Sequence, residues 1–193
     1  MGFAVAVEAA RRGAEVTLVT GPVGLADPAG VEVVRVETSA EMAEAVLGHH
    51  GSFDAVVMAA AVADFRPAET VAGKLKKQNG PPALRLEPTT DILAMLGKQR
   101  GGQVLVGFAA ELSHLEAEAR RKLTAKNLDL IVVNEIGRSD TGFGSDTNRA
   151  AILARDGDGV PLRTWTKAEL AAAICDRVAE LLNGRLQDRT GRR

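Results

Sequence analysis

Short apolar runs alternate along this chain with stretches whose apolar residues recur every three or four positions, a pattern of strands alternating with helices. Residues 2–12, GFAVAVEAARR, have helical spacing and are followed by Gly13, which suits the left-handed position just past a helix end. Residues 15–19 (EVTLV) and 31–36 read as strands, separated by a Gly- and Pro-rich loop over 20–30. Thr38 and Glu41 stand at capping-box spacing and predict a helix running to about Gly48. The apolar run 53–60 reads as a buried strand, and residues 68–82, with Gly73, Gly80, Pro81 and Pro82 among polar residues, as a flap. A helix over 91–99 follows, with Thr89, Thr90 or Asp91 as its cap. The pattern then predicts a strand at 103–107, a helix at 113–126 and a strand at 128–133. Strands at 150–155 and 160–165 flank Asp156-Gly-Asp-Gly159, a hairpin signal. Thr166 and Glu169 repeat the capping pair and open a helix to about Asn183, after which 184–193 is a polar, Arg-rich tail expected to be disordered. The alternation predicts one α/β domain over 1–183, a mainly parallel sheet flanked by helices with a C-terminal β-hairpin and helix.

Composition narrows the classes. A chain of 193 residues with 46% apolar and 25% charged residues can bury the core of one domain. A net charge of −1 argues against general nucleic-acid binding, so any anion site must be local. A single cysteine, Cys175, permits no intrachain disulfide and fits a reducing, cytoplasmic setting. No apolar run approaches the ~18–20 residues of a membrane helix, and Arg11 and Arg12 interrupt the N-terminal apolar stretch as a signal peptide would not. His49, His50 and His114 lack the spacing of a metal site and read as surface residues, and Cys175 reads as helix packing.

The chemistry concentrates in residues 59–78, AAAVADFRPAETVAGKLKKQ. Ligands of open α/β sheets bind beyond the carboxyl ends of strands, and this segment leaves such an end with small alanines, the carboxylate Asp64 and the lysines Lys74, Lys76 and Lys77. Small residues let a flat ligand approach the backbone, and a carboxylate with lysines suits a sugar, a metal ion or a phosphate chain. On spacing alone, the lysines also read as a solvated charge run, Asp64 as a turn residue and Phe108 as core. Lys122 and Lys126 likewise read as one solvated helix face, and Thr90 with Asp91 as a helix cap.

Several ordered segments together resemble one family. AAAVADFRP, then Lys74-Leu-Lys-Lys77, Val106-Gly-Phe-Ala-Ala-Glu111, Lys126-Asn-Leu-Asp-Leu-Ile-Val-Val-Asn134 and Gly142-Phe-Gly-Ser-Asp146 resemble phosphopantothenate–cysteine ligase, the second half of the bifunctional bacterial coenzyme A biosynthesis protein. The resemblance runs from Met1 to about Leu182. It implies a Rossmann-like fold and a CTP-using ligase of coenzyme A biosynthesis. In that reaction 4′-phosphopantothenate and CTP give an acyl-cytidylate and pyrophosphate, and L-cysteine then displaces CMP. It further implies nucleotide contacts at Met58, Ala59, Ala60, Asp64, Lys74, Thr90, Asp91, Ile92, Leu93, Phe108, Lys122 and Lys126. Lys74 matches the family's functional lysine, and Mg²⁺ is the implied metal, with Asp64 as a candidate ligand. The implied assembly is a homodimer, with the decarboxylase half as partner where the two are fused; no flavin is expected in this chain. Asn134 and the segment 142–146 match without an assigned role.

The chain departs from the family in one respect. It opens inside a helix, whereas the family carries a strand, a Gly-rich turn and an SSGK-like segment just before the residues that match Met1-Gly-Phe. Two alternatives therefore stand beside the active ligase: a catalytically impaired fragment, and a nucleotide-binding homologue lacking the first strand. A dinucleotide-dependent oxidoreductase is disfavoured, because Gly21-Pro-Val-Gly24 leads into a proline loop and no G-x-G-x-x-G follows a strand.

Overall fold

The computed structural model describes the chain apart from Lys77, Asn79, Pro81 and residues 137–146 and 191–193, together with the side chains of 188–190. The elements are α1 (Gly2–Arg11), β1 (Thr17–Thr20), β2 (Glu32–Arg35), α2 (Ser39–His49), β3 (Ala55–Met58), β4 (Phe65–Pro67), β5 (Leu86–Pro88), α3 (Ile92–Gln99), β6 (Val104–Glu111), α4 (Leu115–Ala125), β7 (Leu130–Glu135), β8 (Thr147–Ala154), β9 (Val160–Thr166) and α5 (Lys167–Thr190). The central sheet has the order β3-β6-β7-β8-β9. Its first three strands are parallel, and the β8–β9 hairpin continues it antiparallel. Strands β1 and β2 pair in parallel as a separate two-stranded sheet, and β4 with β5 forms a short antiparallel ribbon.

Period-two alternation within β6 and β7 divides the core. Val104, Val106, Leu130 and Val132 face one side, packing with Trp165, Leu170 and Ile174 beneath α1 and α5. Leu105, Ala109, Ile131 and Val133 face the other, against Ile92, Leu96, Leu123 and Leu128 of α3, α4 and the turn after α4. Strands buried on both faces read as continuous apolar runs, and LIVV at 130–133 is such a run. β7 spans Leu130–Glu135, two residues later than the strand expected at 128–133, because Leu128 and Asp129 belong to the turn after α4. Both capping boxes form: Thr38 accepts from the Glu41 N–H while the Glu41 carboxylate accepts from the Thr38 N–H, and Thr166 and Glu169 do the same.

The structure corrects several expectations. β4 and β5 are not visible as strands in the sequence, because each has three residues and ends in proline, too short for alternation to register. The flap read over 68–82 is part of the longer connection between them, opened by the Ala68 N–H donating to the Arg85 carbonyl. β6 runs to Glu111 rather than stopping at Gly107, since β7 gives it partners as far as Glu135. The last helix continues past Asn183 to Thr190. Arg185 holds that extension, donating to the Gly102 carbonyl at 2.7 Å and to Asp129 at 2.6 Å.

Asp129 is the knot at the amino-terminal edge of the sheet. Its carboxylate, 9% exposed, accepts two bonds from Arg100 Nη2 at 2.9 and 2.8 Å, one from Arg185 and one from the Leu105 N–H at 2.8 Å. One buried group thus ties the end of α3, the start of β6, the start of β7 and the end of α5. A second tie joins the outer helices: Arg12 bridges Glu8 of α1 to Asp176 of α5. Hydrogen bonds from Arg11 and Arg12 pull the Glu8 carboxyl down to about 2.

Two glycines let α3 sit close to its neighbours. A Cβ on Gly107 would lie 2.8 Å from the tips of both Leu93 and Leu128. A Cβ on Gly97 would meet the Lys126 carbonyl oxygen at 1.9 Å, a backbone atom that has no rotamer to yield. Asn127 completes this crossing from a left-handed conformation, φ +52°, donating to the Gly97 carbonyl at 2.8 Å. Gly97→Ala is expected to destabilise the domain by about 3 kcal/mol, the upper end for overpacking, although alanine has the better helix propensity. Chemical denaturation measures this; an unchanged midpoint would mean that α3 and the end of α4 can separate freely.

Candidate functional site

The carboxyl ends of β3, β6 and β7 lie on one edge of the sheet, and the residues singled out by sequence gather around it unevenly. Met58 ends β3 opposite Gly107, and its side chain packs toward α2, α3 and α4. Ala59 follows, with its Cβ 3.8 Å from where a Cβ on Gly2 would stand, so the start of α1 reaches the strand end. Ala60 and Asp64 are exposed. The segment after β3 is tied to the entry of α3: the Thr89 N–H donates to the Asp64 carbonyl at 2.9 Å, and the Thr89 hydroxyl donates to the Ala63 carbonyl. These bonds hold the backbone at Ala63 and Asp64 against Thr89, two residues before the α3 cap Asp91.

Asp91 is the N-cap of α3, accepting from the Ala94 N–H at 3.0 Å. It also pairs with Lys126 at 2.8 Å. Burial alone would raise its carboxyl, but the bonds from Lys126 and Ala94 and the charges of Lys126 and Lys98 outweigh burial and leave it below the usual value. Ile92 and Leu93 place their side chains in the core, so toward a ligand they offer main-chain N–H groups of a first helical turn. Lys122, on α4 one turn before its C-cap Lys126, donates to Glu111 at 2.6 Å. A helix start with two adjacent ammonium groups can receive an anion by hydrogen bonding and by charge.

Phe108 and Lys74 stand apart from this group. Phe108 faces the α1 and α5 side of the sheet, opposite the α4 lysines, because it alternates with Gly107 and Ala109 along β6. Lys74 and Lys76 are exposed in the β4–β5 connection and make no hydrogen bond or ion pair with a described residue. Lys77 and the segment 142–146 lie outside the described residues. Asn134 is held by Asn148, whose amide donates to it at 3.4 Å. Arg120 and Arg121 pair along their own helix with Glu116 and Glu118, as their surface reading expected. Cys175 is half-buried against the α1 side of the core, and burial pushes its thiol up.

Sequence reasoning assigned no role to Glu111. It ends β6, pairs with Lys122 and lines a cavity of about 470 Å³ with Ser113, His114, Glu118 and Ile136. The available signal was its place at the end of a strand of otherwise small and apolar residues. Among the described residues no cluster of three or more His, Cys, Asp or Glu side chains could hold a metal ion unaided. None of the described helices is long and apolar enough to cross a membrane.

Taken together, a mainly parallel sheet covered by helices on both faces, with the start of α3 at its carboxyl edge, defines an α/β domain of the Rossmann-like class. Residues 1–182 match the model of the DNA/pantothenate metabolism flavoprotein C-terminal domain, and the chain belongs to that family. The Coenzyme A biosynthesis bifunctional protein CoaBC of Bacillus subtilis (strain 168) is 44% identical over 182 residues, covering 94% of this chain and 45% of that protein. Its namesake from Mycobacterium tuberculosis (strain ATCC 25618 / H37Rv) is 44% identical over 195 residues, covering 95% and 46%. The chain therefore spans about half the length of these curated relatives. The crystal structure of the C-terminal domain of CoaBC superposes with a TM-score of 0.80 at 36% identity, covering 95% of this chain and 82% of that one. The DNA/pantothenate metabolism flavoprotein from Streptococcus pneumoniae shares the fold at a TM-score of 0.74 and 18% identity, covering 92% of this chain and 86% of that one.

Proposed function

We propose that this chain is the ligase domain of a coenzyme A biosynthesis enzyme, joining 4′-phosphopantothenate to L-cysteine at the expense of CTP. The observation that carries the reading is the meeting of Asp64, the start of α3 and the two α4 lysines at the carboxyl edge of the sheet, in a chain of this family. In the first step a carboxylate oxygen of phosphopantothenate attacks the α-phosphorus of CTP. The bond to the β-phosphate breaks and pyrophosphate leaves. In the second step the cysteine amine attacks the acyl carbon, the amide forms, and CMP leaves with the electrons of the acyl–oxygen bond.

Each residue has a task in this scheme. Main-chain groups of Met58, Ala59 and Ala60 contact the base, and backbone donors and acceptors suffice to read its edge. The N–H groups opening α3 and the ammonium groups of Lys122 and Lys126 hold the phosphates. Phe108, on the opposite face of the sheet, would lie against the nucleoside. Lys74, carried by the β4–β5 connection, closes over the α-phosphate, where an ammonium stabilises the charge that builds there. An exposed carboxylate beside a triphosphate suits Mg²⁺, which binds one or two carboxylates plus phosphate oxygens, so Asp64 would hold it. When bound, the ion neutralises phosphate charge.

Calorimetric titration of the chain with CTP, and separately with ATP, in Mg²⁺ tests the nucleotide assignment. Binding of CTP in preference to ATP is expected, followed by turnover with phosphopantothenate and cysteine. Stabilisation by NAD(P) without CTP binding would overturn the reading. CTP binding without turnover would favour the nucleotide-binding homologue. The setting is the cytoplasm, with the decarboxylase as partner where the two are fused. The working unit is a homodimer, consistent with the exposed apolar side chains Phe65, Val71, Leu75, Leu84 and Leu86 on the β4–β5 ribbon and its connection. Sedimentation is expected to give twice the chain mass; a single-chain mass at micromolar concentration would contradict it.

A further inference from the structure

We propose that Glu111 is a positioning residue of the nucleotide site, its carboxylate fixing the Lys122 ammonium where the phosphate chain binds. The inference rests on the nucleotide reading above and adds a residue that the reading did not contain.

The geometry separates this pair from the other ion pairs of α4. Glu116–Arg120 and Glu118–Arg121 join neighbouring turns on the outside of the helix, where such pairs hold little in place. Lys122 instead reaches across to another element, eleven residues back in sequence. The two side chains are 17% and 32% exposed and 2.6 Å apart. The backbone that carries the carboxylate is held by the sheet. Glu111 is paired with Glu135 of β7, and its carbonyl accepts from the Ile136 N–H at 3.0 Å. β6 continues four residues past Gly107, the partner of the last residue of β3, so Glu111 stands above the edge where the sheet receives ligands.

The chemistry gives the pair a purpose. A lysine has a flexible four-carbon stem, and an unheld ammonium at this exposure spends its time in solvent. An ammonium has three donors. One bond to Glu111 selects the rotamer and leaves two N–H groups for phosphate oxygens. Lys126 is held in the same way by Asp91. Asp91 also caps α3, so its replacement would disturb fold and site together. Glu111 caps no helix, and a partly exposed pair contributes little to stability, which makes Glu111 the position where the role can be isolated.

The test is a double-mutant cycle read by calorimetry with CTP and Mg²⁺, with the thermal midpoint measured for each variant. Glu111→Gln is expected to weaken CTP binding roughly tenfold, the scale of losing one charge-assisted contact, with the midpoint little changed. Lys122→Met should weaken it at least as much, and the double variant no more than Lys122→Met alone. Glu111→Asp, which keeps the charge on a shorter stem, should recover part of the loss. If Glu111→Gln binds CTP normally while Lys122→Met does not, or if the two losses multiply, Glu111 acts independently of Lys122 and the proposal is wrong. If Lys122→Met binds CTP normally, or the unaltered chain binds none, the nucleotide reading fails and the proposal falls with it.

Discussion

Replacing Lys74 by glutamine is expected to reduce product formation by at least 10²–10³-fold, the scale of removing one stabilising donor from a developing phosphate charge, while leaving the fold intact. Lys74 is exposed on the β4–β5 connection and makes no bond with a described residue, so glutamine of similar length removes nothing that holds the domain together. On the proposed mechanism the ammonium matters only when the connection closes over the α-phosphate. In the proposed site Lys122, Lys126 and the start of α3 hold the phosphates, so the loss should fall on kcat more than on CTP affinity. Steady-state assays with pyrophosphate release as readout, alongside a circular dichroism melt, measure both. Near-normal turnover with a native melt would remove Lys74 from the chemistry and leave the β4–β5 connection as a surface feature.

Asp129→Ala should produce the opposite result, a large loss of stability with little change in nucleotide affinity. The substitution takes the counter-charge from the guanidinium of Arg100, 14% exposed, and that of Arg185, 28% exposed, leaving them only backbone carbonyl acceptors, and removes the acceptor of the Leu105 N–H. Breaking a buried pair by deleting one partner costs about 3–5 kcal/mol. The partial exposure of Arg185 lets water compensate, so about 3 kcal/mol is expected. That is a large part of the ~5–15 kcal/mol typical of a domain. Urea unfolding followed by Trp165 gives the value directly. Trp165 is the sole tryptophan, buried, and bonded through its indole N–H to the Ala150 carbonyl at 2.8 Å. Because Asp129 lies at the amino-terminal edge of the sheet, the folded variant should bind CTP as the parent does. Weakened binding in the fully folded state would mean that the two edges are coupled.

The elements that could be read in advance are those whose signal is local. Thr38 with Glu41 and Thr166 with Glu169 announce helix starts, because a capping box is made within four residues. β7 announces itself by a continuous apolar run, since helices cover both faces of the sheet. The ribbon β4–β5 could not be read, because its stability comes from pairing across a connection of 68–85 and not from either three-residue strand. The true end of α5 was hidden for the same reason: Arg185 resembles any polar tail residue until Asp129, 56 positions away, receives it. In the candidate site, Asp64, Asp91, Lys122 and Lys126 were named from sequence with the resemblance as guide. The ion pairs of Asp91, Lys122 and Lys126 were not, nor was the placement of Phe108 on the opposite face, which follows from the pleat of β6.

By itself, the sequence determined the α/β alternation, the helix starts and the strand end from which the candidate chemistry departs, because each depends on residues within a few positions of one another. The tertiary structure alone decided which carboxylate meets which ammonium. Glu111 and Lys122, Asp91 and Lys126, and Asp129 with its two arginines are brought together by strand register and by the close crossing at Gly97, where a backbone oxygen leaves room for no side chain. Charge pairing of this kind acts over a few ångströms, and chain separation carries no information about it until the fold has closed the distance.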